Sequence, residues 1–146
     1  MYVRRIHQLP EDICSLASEA RAQGFRFLDR LILEFESGAN RFEREGEALF
    51  AIFDAGYCVG IGGVNVDPIS EASDIGRVRR VFVSSLVRGK GLGKLLMSEI
   101  EVWSHSKFTK LQLFTDTESA SAFYEAIGYE RVQENRVSHV RRLQCD

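Results

Sequence analysis

The sequence predicts an α/β fold in which one mixed sheet carries helices on both faces. Apolar runs of strand length alternate with amphipathic stretches of helical period along the chain. A strand, a glycine-rich turn and an amphipathic helix follow one another over residues 81–97. No internal repeat and no Ser- or Gly-rich linker divides the 146 residues, which contain only two prolines. The expectation is therefore a single domain over residues 1–146, large enough to bury a continuous core.

Residues 2–7 read as a first strand. Pro10 starts a helix with Glu11 and Asp12 in its first turn; Ile13, Leu16, Ala17 and Ala20 form its apolar side, and Gly24 stops it. A second helix covers residues 27–36, with Leu28, Leu31, Ile32 and Phe35 on one stripe, and breaks at Gly38-Ala39-Asn40. Residues 48–53 and 57–66 are β-rich runs joined by Asp54-Ala55-Gly56, a hairpin signal. The polar stretch 67–76 reads as a loop. Residues 77–83 make the next strand and 91–106 the helix after the glycine turn. Strand 110–115, helix 118–127 ending at Gly128, and strand 136–143 complete the order β-α-α-β-β-β-α-β-α-β.

Composition excludes several classes. The apolar fraction of 45% and the net charge of −2 are those of an ordinary globular protein. No apolar run could span a bilayer and the N-terminus lacks an apolar signal region, so the expectation is a cytoplasmic protein with no membrane partner. Cys14, Cys58 and Cys145 are odd in number and widely spaced, and read as free thiols. His7, His105 and His139 are equally scattered, so no metal site is expected. The basic pairs Arg79-Arg80 and Arg141-Arg142 are offset by acidic residues, and no aromatic-basic stripe appears; a nucleic-acid partner is not expected.

The turn after residue 83 carries the chemistry. Gly89, Gly91 and Gly93 stand at alternate positions beside Arg88 and Lys90. Such a backbone can approach a ligand closely, and the positive end of the next helix favours phosphate oxygens. Spacing sorts the known phosphate loops. A nucleotide P-loop needs four residues between its first glycine and Gly-Lys, then Ser or Thr; here three separate Gly89 from Gly93, and Leu95 follows Lys94. The dinucleotide fingerprint needs Gly-x-Gly-x-x-Gly, which these glycines do not supply. What remains is Arg-x-x-Gly-x-Gly, filled by Arg88, Gly91 and Gly93.

With this loop the chain resembles the GCN5-related N-acetyltransferase (GNAT) family, whose pyrophosphate loop has that form. The string Ala122-Phe123-Tyr124-Glu125-Ala126-Ile127-Gly128-Tyr129 resembles the family's closing segment, in the family's order and at its usual separation. The resemblance covers about residues 2–143. It implies an acyl-CoA N-acyltransferase fold whose strands before the two motifs splay to admit the pantetheine arm. It further implies acetyl-CoA as co-substrate, with no metal, and an amine-bearing small molecule or peptide as acceptor. Family members often dimerise through later strands, which makes residues 136–143 a candidate homodimer contact.

Residue by residue, the resemblance places the pyrophosphate on the amides of Arg88, Gly89, Lys90, Gly91, Leu92, Gly93 and Lys94. It assigns Val81, Phe82 and Val83 to cofactor contact, with the Val81 N–H as oxyanion donor and the Val83 backbone pairing the pantetheine arm. Tyr124 stands near the cofactor sulfur as the acid: a phenol of pKa about 10 can donate at neutral pH, where a carboxylate is already ionised. Thr117 replaces a common family Asn and leaves one hydrogen bond to the cofactor instead of two. The family's strand glutamate falls at about Arg77, which cannot accept a proton. That departure suggests a base reached through water or an amine that binds already partly deprotonated; Asp67, Glu71, Asp74 and Asp116 are the candidate carboxylates, and Asp67 or Glu71 facing the pocket would favour a cationic amine. Phe25, Phe27, Phe35 and Phe42 are candidates to line that pocket, with the loops at 40–42 and 67–74. The alternative is a non-catalytic acyl-CoA-binding regulatory module; the missing strand carboxylate favours it and Tyr124 speaks against it.

Overall fold

The apolar run of residues 48–52 is buried at every position, as an interior strand covered on both faces must be. Around it the computed structural model describes residues 1–143; Cys145 lies outside them. The elements are β1 (Tyr2–Ile6), α1 (Ile13–Ala22), α2 (Phe27–Ser37), β2 (Ala48–Asp54), β3 (Tyr57–Val66) and β4 (Ile75–Val83). A 3₁₀ turn (Ser85–Val87) leads to α3 (Leu92–Ser104), β5 (Lys110–Leu113), α4 (Glu118–Ala126), β6 (Glu130–Glu134) and β7 (Val137–Arg142). The strands form one mixed sheet in the order β1-β2-β3-β4-β5-β7-β6. Only the β4–β5 pair is parallel. The expected helices on both faces are present.

Alternation along the strands divides the core. Phe50, Ile52, Val64, Leu96, Ile100 and Leu111 pack on the face of α3, and Leu16, Leu28, Leu31, Leu49, Ile61 and Phe82 on the face of α1 and α2. Gly63 lets Phe42 close in: a Cβ there would stand 2.7 Å from both the Ala48 carbonyl oxygen and the Phe42 ring. Among the described residues no helix is long and apolar enough to cross a membrane.

One expectation is corrected. Residues 130–134 form a strand that the sequence order omits. It is a sheet edge with four of its five residues exposed, so no apolar alternation marks it. It covers β7, which is an interior strand paired by β5 on one side and β6 on the other.

Two irregularities shape the centre of the sheet. The β4–β5 pairing covers only Ile75 to Arg77 against Lys110 to Gln112, and beyond it the strands separate. Between Ile61↔Phe82 and Gly63↔Arg79 the register slips, giving β4 one extra residue. Arg80 absorbs it with a left-handed φ of 62°. The bulge resets the alternation, so Val78 and Val81 both pack with the α3 cluster although three positions apart.

Candidate active site

Where β4 leaves β5, a groove of about 830 Å³ opens. Of the sequence-predicted residues, Val81, Phe82, Val83, Arg88, Gly89, Gly91, Leu92, Gly93, Lys94, Thr117 and Tyr124 all line it. Lys90 is exposed and does not.

The glycines serve the turn in different ways. Gly89 and Gly91 have φ of 84° and 76°, which L side chains rarely adopt, and a Cβ at either would meet no atom within 4 Å. Gly91 is the N-cap of α3. The amides of Leu92, Gly93 and Lys94 therefore lack intrahelical acceptors and stand at the groove's rim beside the positive end of the helix dipole. Gly93 is needed for another reason, since its Cβ would sit 3.3 Å from the Phe123 ring of α4. An anionic group can thus reach the main chain here without meeting a side chain.

α1 holds this turn in place, which the sequence reading missed. The Glu19 carboxylate accepts from the Ser84 hydroxyl at 2.7 Å, the Ser85 amide at 2.8 Å and the Ser85 hydroxyl at 3.1 Å. Partial burial raises its pKa, but these bonds and Arg88 outweigh that and leave it below the ordinary carboxylate value. One helical turn on, Gln23 Oε1 accepts from Arg88 at 2.9 Å, and Arg88 Nε donates to the Val83 carbonyl at 3.0 Å. Arg88 therefore braces the loop as well as adding charge at the rim.

At the other end of the groove Tyr124 is 8% exposed. Its ring contacts Phe123 and Tyr129 edge-on, with centroids 5.1 and 5.5 Å away, and His139 at 6.3 Å. Burial pushes its phenol above the ordinary value of 10.0, so it remains protonated at any working pH. Thr117 caps α4 by accepting from the Ala120 amide at 3.3 Å. Its hydroxyl proton stays free to donate into the groove.

The carboxylates fall differently from expectation. Asp67 is not a loop acid facing the pocket: its side chain is fully buried. It accepts from Arg77 Nε at 3.2 Å, the Ile69 amide at 2.8 Å and Gln112 Nε2. Burial opposes its ionisation, yet these bonds hold the carboxyl below its ordinary 3.8. Glu71 is exposed and Asp74 bonds Thr109; neither lines the groove, whereas Asp116 does. Phe25 and Phe27 line it as well. Phe35 and Phe42 do not: both pack in the core cluster of α1 and α2, Phe42 beneath Gly63.

Removing the Asp67 carboxylate strands a buried guanidinium, so Asp67→Ala should lose about 3–5 kcal/mol in urea unfolding at pH 7. A loss under about 1 kcal/mol would show that Arg77 is held by other groups. Because the folded carboxyl titrates below its unfolded value, its contribution is complete above about pH 4 and fades as the pH falls through the lowered folded value.

A family model described as an acetyltransferase (GNAT) domain matches residues 45–131. No curated protein matches the chain. Among solved structures, a protein assigned as an acetyltransferase from Exiguobacterium sp. 255-15 superposes with a TM-score of 0.86 at 22% identity, covering 97% of this chain and 92% of that one. An acetyltransferase from Streptococcus agalactiae 2603 gives 0.75 at 14% identity, over 97% and 98%. A GNAT-family acetyltransferase from Staphylococcus aureus Mu50 gives 0.72 at 15%, over 98% and 100%. These likenesses carry the fold, and the family model, matching more than half of the chain, carries the membership. The chain belongs to the GNAT acetyltransferase family.

Proposed function

We propose that the protein transfers an acetyl group from acetyl-CoA to the primary amine of an acceptor. One observation supports this above the rest: a single groove joins the free amides at the start of α3 to the buried phenol of Tyr124. The residues present fit an acyl-CoA, because the glycine turn leaves the main chain bare to a pyrophosphate and the split sheet admits a narrow arm.

Acyl-CoA supplies an activated thioester carbonyl. The amides of residues 88–94 bind and orient the phosphates. The Val83 backbone lies on the stretch of β4 that β5 leaves unpaired, where an extended amide-bearing arm can add as a strand would. The Val81 N–H follows the bulge at Arg80 and serves as the oxyanion donor; such a donor contributes about 3–4 kcal/mol to the transition state.

Tyr124 handles the proton. Its raised pKa makes it a weaker acid than a thiol of about 8.5, so it does not simply ionise to protonate the departing sulfur. It relays instead: the phenol gives its proton to sulfur as it takes one from the acceptor nitrogen, and it ends the step neutral. No carboxylate stands at the family's strand position, where Arg77 is tied to Asp67. That absence favours the non-catalytic acyl-CoA-binding module as second reading, and turnover separates the two. Acetyl-CoA with a panel of amines and short peptides should release free thiol, detected colorimetrically. Thermal stabilisation by acetyl-CoA with no thiol release across the panel would favour the binding module.

A further inference from the structure

The side of the groove facing α2 is basic, and one of its arginines lacks a counterion. Arg77, Arg79 and Arg80 all line the groove. Arg77 is answered by Asp67, and Arg80 by Glu34 at 3.0 Å. Arg79, between them in the strand, pairs with no carboxylate among the described residues. Its recorded partner is the neutral Asn65 Oδ1 at 3.4 Å, an oxygen that already accepts from Asn40 at 3.0 Å. Arg79 is partly buried, where a charge without a partner is costly. Two further guanidinium nitrogens, Arg77 Nη2 and Arg80 Nε, are buried with no hydrogen-bond partner.

The surroundings reinforce the sign. Burial and the charges of Arg80, Arg77 and Arg30 all press against the Arg79 cation, and only Glu34 supports it. Arg79 leaves the sheet on its α2 face, four residues before β4 ends at Val83. Its neighbour Val78 packs in the α3 cluster, while Arg79 feels Arg30 and Glu34 of α2. On the acyl-transfer reading the donor's phosphates lie past the end of β4, four strand residues or roughly 13 Å beyond Arg79, and so would not supply the missing anion. Among the described residues Asp116 is the one carboxylate lining the groove, and it follows β5. A site for polyamines or lysine-rich peptides would need acidic walls, and this one has the opposite charge.

We infer that the acceptor is an amine that also carries a carboxylate or phosphate group, and that Arg79 binds that group. This rests on the acyl-transfer reading. The planar guanidinium presents parallel donors suited to two anionic oxygens. The same charges disfavour an ammonium ion nearby and so lower the pKa of the bound amine. Arg79 and its neighbours thereby help to deliver a neutral nucleophile in a site with no strand carboxylate to act as base. Phe25, Phe27 and Ile69 supply the apolar wall beside them.

The test compares matched pairs by calorimetry in protein saturated with CoA. Phenylalanine is set against phenethylamine, lysine against cadaverine and O-phosphoethanolamine against ethanolamine, with inorganic phosphate as a bare anion. Acetyl-CoA stabilisation of each protein, measured first, checks folding and the donor site independently of any acceptor. The expected result is at least about tenfold tighter binding of the anionic member of a pair, abolished in Arg79→Gln while acetyl-CoA binding persists. The carboxylate and phosphate pairs show which anion is preferred. Equal or tighter binding of the decarboxylated or dephosphorylated amines overturns the inference while leaving acyl transfer intact. So does a failure of every anionic probe, inorganic phosphate included, to bind protein that acetyl-CoA stabilises. Loss of acetyl-CoA binding itself would instead overturn the donor assignment.

Discussion

A Gly91→Glu protein will remain folded and bind acetyl-CoA at least about a hundredfold more weakly than wild type, a loss of about 2.8 kcal/mol. Three effects act in one direction. The left-handed backbone at φ 76° costs an L residue about 1–2 kcal/mol. No atom stands within 4 Å of the new Cβ, so folding survives, but the side chain projects at the rim of the groove where the phosphates are to lie. Its carboxylate would also compete for the free amides at the start of α3 and repel a pyrophosphate. Gly91→Asn separates strain from charge: asparagine tolerates the left-handed conformation, so that variant should retain most of the affinity. Calorimetric titration of the three proteins reads both. Wild-type affinity in a folded Gly91→Glu protein would remove the glycine turn from the donor site.

Tyr124→Phe should lower kcat by about 10²-fold or more while leaving acetyl-CoA affinity within about threefold, as expected for a proton-transfer group. The substitution removes one oxygen and preserves the ring contacts with Phe123 and Tyr129, so stability should change little. Steady-state kinetics together with a binding measurement separate the proton role from packing. Because burial keeps the phenol protonated well past neutrality, the wild-type rate should show no loss from ionisation of Tyr124 up to about pH 9. An unchanged kcat in the phenylalanine variant would assign the relay elsewhere.

Much of the fold was readable because it obeys simple periodicities. β3 begins and ends where its apolar run does, and α2 stops at Gly38, whose φ of 84° caps it. The glycine turn announced itself because close approach of a main chain requires small residues. What stayed hidden lacks a one-dimensional signature. β6 is an exposed edge without alternation. The bulge sits on Arg80, a residue type that gives no sign of a left-handed backbone. Asp67 looked like an acid of a polar loop able to face the pocket, but its meaning depends on Arg77 and Gln112, ten and forty-five positions away. Glu19 supports the turn across sixty-five residues and nothing local marks it. Long-range polar pairing, rather than secondary structure, is where the sequence ran out.

Occupancy of the groove between the glycine turn and Tyr124 by acyl-CoA can be read from an amide chemical-shift map on titration with CoA. Saturable changes concentrated at Val81 to Val83, at Arg88 to Lys94 and around Thr117 to Tyr124 are expected. Changes confined to other surfaces, or none at millimolar CoA in folded protein, would contradict it.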